Sequence, residues 1–86
     1  MVFLVLTRSA YDELCIALGK VPSPIWLAEG VLGQAEIDDL RGSGVVVTNF
    51  DYSVNPDNAE GVEDMFSTVA LHHPGQAIWV EKRGDA

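Results

Sequence analysis

The apolar residues of this chain fall into short continuous runs that alternate with helically spaced ones. Val2 to Leu6 is apolar throughout and rich in β-formers. That is the pattern of a strand covered on both faces, as in a parallel sheet. Ser9 follows as a helix-capping residue, with Asp12 three positions on and Glu13 beside it in the electropositive first turn. Tyr11, Leu14, Cys15 and Leu18 then keep the spacing that lines one face of a helix. The spacing predicts a helix over 9–19, stopped at Gly19 and kept from continuing by Pro22 and Pro24.

Residues 24–28 form a second apolar run, with proline acceptable at a strand's first position. A short helix is predicted over 34–42, with Ile37 and Leu40 inward and Glu36, Asp38 and Asp39 outward. Gly33 is its only cap residue, and Gly42, Ser43 and Gly44 close it. Val45 to Val47 opens a third strand. It can run on to Val54, because Val46, Thr48, Phe50, Tyr52 and Val54 alternate with mostly polar neighbours. Asn55 to Asn58 is turn chemistry, and Asp57 with Glu60 reads as the capping pair of a helix over 58–72. Val62, Met65, Phe66 and Val69 repeat the helical stripe, and Pro74 with Gly75 ends it near His72 and His73. Gln76 to Lys82 is the last strand.

The order is β-α-β-α-β-α-β, which calls for right-handed crossovers and a parallel sheet. The expected fold is a small open four-stranded α/β sheet, parallel or mostly parallel, with one antiparallel edge strand left open as a variant. Leu14, Leu18, Val62, Phe66 and Val69 are expected to be buried, so that truncating Phe66 to alanine would cost about 3–5 kcal/mol.

Composition changes this picture little; charge changes it more. At 86 residues and 48% apolar, residues 1–86 read as one ordinary globular domain. The opening apolar run is too short for a signal peptide or a membrane span, and a single cysteine, Cys15, forms no internal disulfide. A cytoplasmic protein without membrane contact is therefore expected. Thirteen acids against five bases give a net charge of −8. Nine of the acids lie between Glu29 and Asp64, where Arg41 is the single base, and the flanks cancel. Such a balance argues against direct nucleic-acid binding, for which a basic footprint is required. It suits a basic protein partner, although a solvated face that keeps a small domain in solution is the plainer account.

Candidate chemistry follows from the topology, since ligands of open parallel sheets bind beyond the carboxyl ends of the strands. That edge should carry Thr7, Arg8 and Ser9 after the first strand, Glu29 after the second, Asn49 or Asp51 after the third, and Glu81 with Lys82 after the fourth. Thr7, Arg8 and Ser9 could hold an anion at a helix start, and Glu29 with Asp51 could chelate a cation or act as an acid/base pair. Against these stand a simple cap with a solvated arginine, and ordinary loop carboxylates. No glycine motif for nucleotides is present, so no cofactor is expected. His72 and His73 are adjacent and point about 100° apart on a helix, which suits a dipole-complementing end better than a metal. Cys15, on an apolar stripe, reads as an inert small hydrophobe, and no catalytic residue is assigned. For association the residues of interest are Trp26 and Trp79, if their strands lie near sheet edges, and the acids Asp38, Asp39, Glu63 and Asp64. The function expected from this is a non-enzymatic interaction module that binds itself or a basic protein. The alternative is a small enzyme or anion-binding domain using Arg8, Ser9, Glu29 and Asp51.

Overall fold

A computed structural model describes residues 1–81. Its elements are β1 (Val2–Val5), α1 (Arg8–Leu18), β2 (Ile25–Leu27), α2 (Gln34–Gly42), β3 (Val47–Asn49), α3 (Ala59–His72) and β4 (Ile78–Val80). All four strands are parallel, in the order β3-β2-β1-β4, and the sheet is open. The fold is the α/β arrangement expected from the alternating runs, and no antiparallel edge occurs among the described residues. Lys82, assigned to the last strand, lies outside them.

Register sorts the side chains. Phe3 stands beside Ile25 and Trp79, and Leu4 beside Trp26 and Val80. Successive strand residues face opposite ways. Phe3, Ile25 and Trp79 therefore share one face, and Leu4, Trp26 and Val80 the other. On the first face, Trp79 shares a cleft with Ala10, Leu14 and Ala17 of α1. On the second, the Trp26 ring lies 5.3 Å from that of His72 in α3. Helices α1 and α3 thus cover opposite faces. An ion pair from Arg8 to Glu36 ties the start of α2 to the start of α1. Leu4, Ile25, Leu27, Met65, Val2, Val5 and Val69 are fully buried at the centre of the core.

Several expectations about packing and capping are corrected. The cap of α1 is Thr7, whose hydroxyl accepts from the Ala10 N–H at 3.2 Å; Ser9 lies inside the helix. The cap of α3 is Asn58, accepting from the Gly61 N–H, in place of Asp57. Of the five residues expected in the core, only Val69 is buried. Leu14 and Val62 are half-buried, while Leu18 (44% exposed) and Phe66 (38%) reach solvent. A single helix covers its face of the sheet, so the buried line of α3 runs through Met65 and Val69 and Phe66 falls on its flank. Strand β3 stops at Asn49, because past it the chain pairs irregularly: Phe50 donates to Leu27 and Glu29 to the Tyr52 carbonyl. Trp26 sits on the inner strand β2 and is 6% exposed, so it presents no edge surface; Trp79, on the edge strand β4, is half-buried.

Candidate functional site

The carboxyl ends of β1 and β4 are where the chain reverses its direction of travel across the sheet, since β2 was added on one side of β1 and β4 on the other. Ligands of open α/β sheets collect at such a reversal. A cleft of about 750 Å³ opens beside this point, lined by Thr7, Ser9, Ala10, Glu13, Leu14, Ala17, Trp79 and Glu81. Alpha-helical spacing explains the wall. Ala10, Leu14 and Ala17 follow i, i+4, i+7 along one stripe of α1, and Ser9 with Glu13 forms the neighbouring stripe. Trp79 of β4 stands across from them.

Glu81 is the organising residue, and it is 5% exposed. Its Oε1 accepts from the backbone N–H groups of Leu6 at 2.7 Å and Thr7 at 2.9 Å, and its Oε2 accepts from the Thr7 hydroxyl at 2.8 Å. A buried carboxylate survives when hydrogen-bond donors replace its water. Here the donors are the free N–H groups between β1 and α1, at the positive end of the α1 dipole. The carboxylate therefore lies on the connection between β1 and α1, just before the helix start. Thr7 works in both directions, receiving the Ala10 N–H while donating to Glu81.

The residues singled out by sequence separate into groups. Thr7 and Ser9 line the cleft, but Arg8 points away from it. Its guanidinium pairs with Asp12 at 3.3 Å and with Glu36 at 3.0 Å, and lies 5.9 Å from the centroid of the Tyr11 ring. Both neighbours raise the Arg8 pKa, chiefly through the hydrogen bond to Glu36. Glu36 accepts from the Gly33 N–H at 3.0 Å. That bond, and then the one from Arg8, lower its pKa below the ordinary carboxylate value. Glu29 and Asp51 are exposed loop residues outside the cleft lining. Among the described residues, no three His, Cys, Asp or Glu side chains gather as a metal set. Cys15 is half-buried, and the Tyr11 hydroxyl is pushed up to about 12, mainly by burial and then by the neighbouring Cys15 thiol.

His72 and His73 serve Trp26. The indole N–H donates to His73 Nε2 at 3.2 Å, and both imidazoles pack on the indole at 5.3 and 5.9 Å. The four acids expected at an interface are all exposed, but Asp38 and Asp39 lie on α2 while Glu63 and Asp64 lie on α3. They belong to different helices rather than to one continuous helical face. Sequence reasoning had placed Glu81 at the strand edge without its burial. The available signal was a lone acid directly after an apolar strand run, opposite a Thr after another; only the β1–β4 adjacency gives it meaning.

Comparison with protein families, curated proteins and solved structures finds no match. No described helix is long and apolar enough to cross a membrane.

Proposed function

We propose that this chain is an interaction module that docks a basic protein through its acidic middle segment. The observation that carries the reading is the exposure of all nine acids between Glu29 and Asp64. The single base of that stretch, Arg41, turns its guanidinium to the Val47 carbonyl at 2.9 Å. Of the nine, Glu36 is paired with Arg8; the field of the other exposed carboxylates speeds encounter with an opposite field, and salt suppresses the effect over about 8 Å at physiological strength. Support also comes from Arg8 and Glu29, which do not converge, and from the Leu6 and Thr7 N–H groups before α1, which Glu81 occupies. Both weaken the case for an anionic ligand.

The test is the association rate with a lysine-rich peptide, measured against salt concentration. Wild type should associate faster at low salt, with a steep salt slope. The pair Asp38→Asn and Asp39→Asn should flatten that slope if α2 faces the partner, and Glu63→Gln with Asp64→Asn should do so if α3 does. Unchanged slopes in both double variants would reduce the acids to solubilising charge. Tight binding of wild type to duplex DNA would overturn the reading.

A further inference from the structure

We infer that the cleft between α1 and β4 is a binding site for an alkylammonium group, its cationic end held by Glu13, Ser9 and Glu81 and its alkyl stem by Leu14, Ala17 and Trp79. The inference stands on the cleft alone and does not depend on the acidic segment.

The cleft is built with two unlike ends. Towards the start of α1 it offers the hydroxyls of Thr7 and Ser9 and the carboxylates of Glu13 and Glu81; farther along the helix come Leu14 and Ala17, facing Trp79. From residue 9 to residue 17 a helix rises about 12 Å, at about 1.5 Å per residue. That length accepts a chain of four to six methylenes with a charged head, on the order of 1.3 Å each.

The charge sign follows from the donors and acceptors present. The backbone N–H groups of Leu6 and Thr7, between β1 and α1, are bonded to Glu81 Oε1. Oε2 carries only the bond from the Thr7 hydroxyl and keeps acceptor capacity, and Glu81 is one of the residues lining the cleft. Glu13 adds a second carboxylate, approached by the Ser9 hydroxyl at 3.4 Å. No Lys, Arg or His among the described residues forms an ion pair with either glutamate. A helix N-terminus repels a cation, but its partial charge of about +0.5 is smaller than that of the Glu81 carboxylate placed on it. The lining therefore remains negative. An ammonium, with three donors and no acceptor, matches a rim made of carboxylate and hydroxyl oxygens. The Trp79 ring supplies area for the stem and an electron-rich face for the head.

The same chemistry could arrive as a free amine or as a lysine side chain of another protein, and the experiment separates them. The indole N–H resonances of Trp79 and Trp26, assigned with Trp79→Phe, are followed during titration with n-hexylamine, hexanol and hexanoate. A saturable shift confined to Trp79 with hexylamine, at least tenfold tighter than with hexanol and absent with hexanoate, is expected. Glu13→Gln, an exposed change that leaves the fold intact, should weaken hexylamine about fivefold. Competition by an acetyl-lysine-amide peptide assigns the natural head group to a protein; its failure beside successful hexylamine binding assigns it to a free amine. Equal binding of hexanoate, or hexylamine shifts unaffected by Glu13→Gln, would overturn the proposal.

Discussion

Helices α1 and α2 each begin beside a glutamate, but the two glutamates reach those positions by different routes. Glu36 lies three residues into α2 and bonds back to the Gly33 N–H, a connection made entirely within one turn. Glu81 lies 75 residues from the Leu6 N–H that it accepts, and it closes the start of α1 from the far end of β4. Glu36 is exposed and shares its charge with Arg8 at the surface; Glu81 is buried and shares its charge with backbone and Thr7. The contrast shows what a cap can do beyond satisfying a helix end. A local cap stabilises one helix by itself. A distant buried one also fixes which strand lies beside β1, because its bonds form only when β4 is in place.

The strongest way to break this comparison is to remove the distant carboxylate. Glu81→Ala leaves the Leu6 and Thr7 N–H groups and the Thr7 hydroxyl without their acceptor. Buried donors so orphaned, in part rescued by water entering the cleft, cost about 3 kcal/mol together. That is a large share of a small domain's stability. Denaturant titration should show the loss, and hydrogen exchange should show β4 amides losing protection with the β1 amides. A loss below about 1 kcal/mol would mean that the buried bonds do not organise the β1–β4 seam.

A smaller effect should follow from Thr7→Ala, which removes both the cap of α1 and one bond to Glu81. Loss of an N-cap hydroxyl costs about 1–2 kcal/mol. The comparison sharpens in a double-mutant cycle. Thr7→Ala and Glu81→Gln share a hydrogen bond and should be non-additive, whereas Thr7→Ala and Glu36→Gln share none and should add. Additivity in the first pair would separate the cap from the seam.

The order of elements, the helix limits and the parallel sheet were legible because each rests on local signals: continuous apolar runs, helical stripes, and stops such as Gly19, Pro74 and Gly75. What local signals lack is adjacency. Nothing in residues 1–9 says that β4 rather than β2 alone will flank β1, so Glu81 read as one more edge carboxylate and Ser9 as a plausible cap. A stripe such as Val62, Met65, Phe66 and Val69 is wider than the contact a single covering helix makes, and the sheet chose Met65 and Val69 from it. Strand order, which no local signal gives, decides that Trp26 stands on an inner strand and Trp79 on an edge. The cleft itself required both facts at once, the helix stripe of Ala10, Leu14 and Ala17 and the neighbouring strand with Trp79.

Between the two helix starts lies Tyr11, whose ring carries the Arg8 guanidinium and whose hydroxyl is raised from 10.0 to about 12. Burial penalises the phenolate in the folded state more than in the unfolded chain. The sign follows: below pH 10 the tyrosine is neutral in both states and its contribution is fully present. As pH rises from 10 towards 12 the unfolded chain releases its proton first, so folding stability falls across that window. Ultraviolet titration should show one tyrosine ionising near 12, and Tyr11→Phe should remove its share of the alkaline stability loss. An ordinary titration of Tyr11 would mean that the start of α1 is open to water.

The smallest effect is expected at the local glutamate. Glu36→Gln keeps an acceptor for the Gly33 N–H and removes the charge that pairs with Arg8 at the exposed surface. Exposed ion pairs contribute little, because water screens them and two long side chains must be held in one geometry. The lowered pKa of Glu36 sets the sign: its contribution is present above the ordinary carboxylate value and is lost as pH falls through the lowered one. In the variant that acidic decline should be absent, and the neutral-pH stability should lie within the scatter of a denaturant titration. Salt distinguishes the two glutamates further. Added salt should erase whatever Glu36 contributes, since its partner is exposed, and should leave the Glu81 effect nearly untouched, since its partners are uncharged backbone and hydroxyl donors around a buried carboxylate. A Glu36→Gln loss as large as that of Glu81→Ala would show that α2 and α1 are clamped through Arg8 at the surface, and that the buried carboxylate is the lesser of the two.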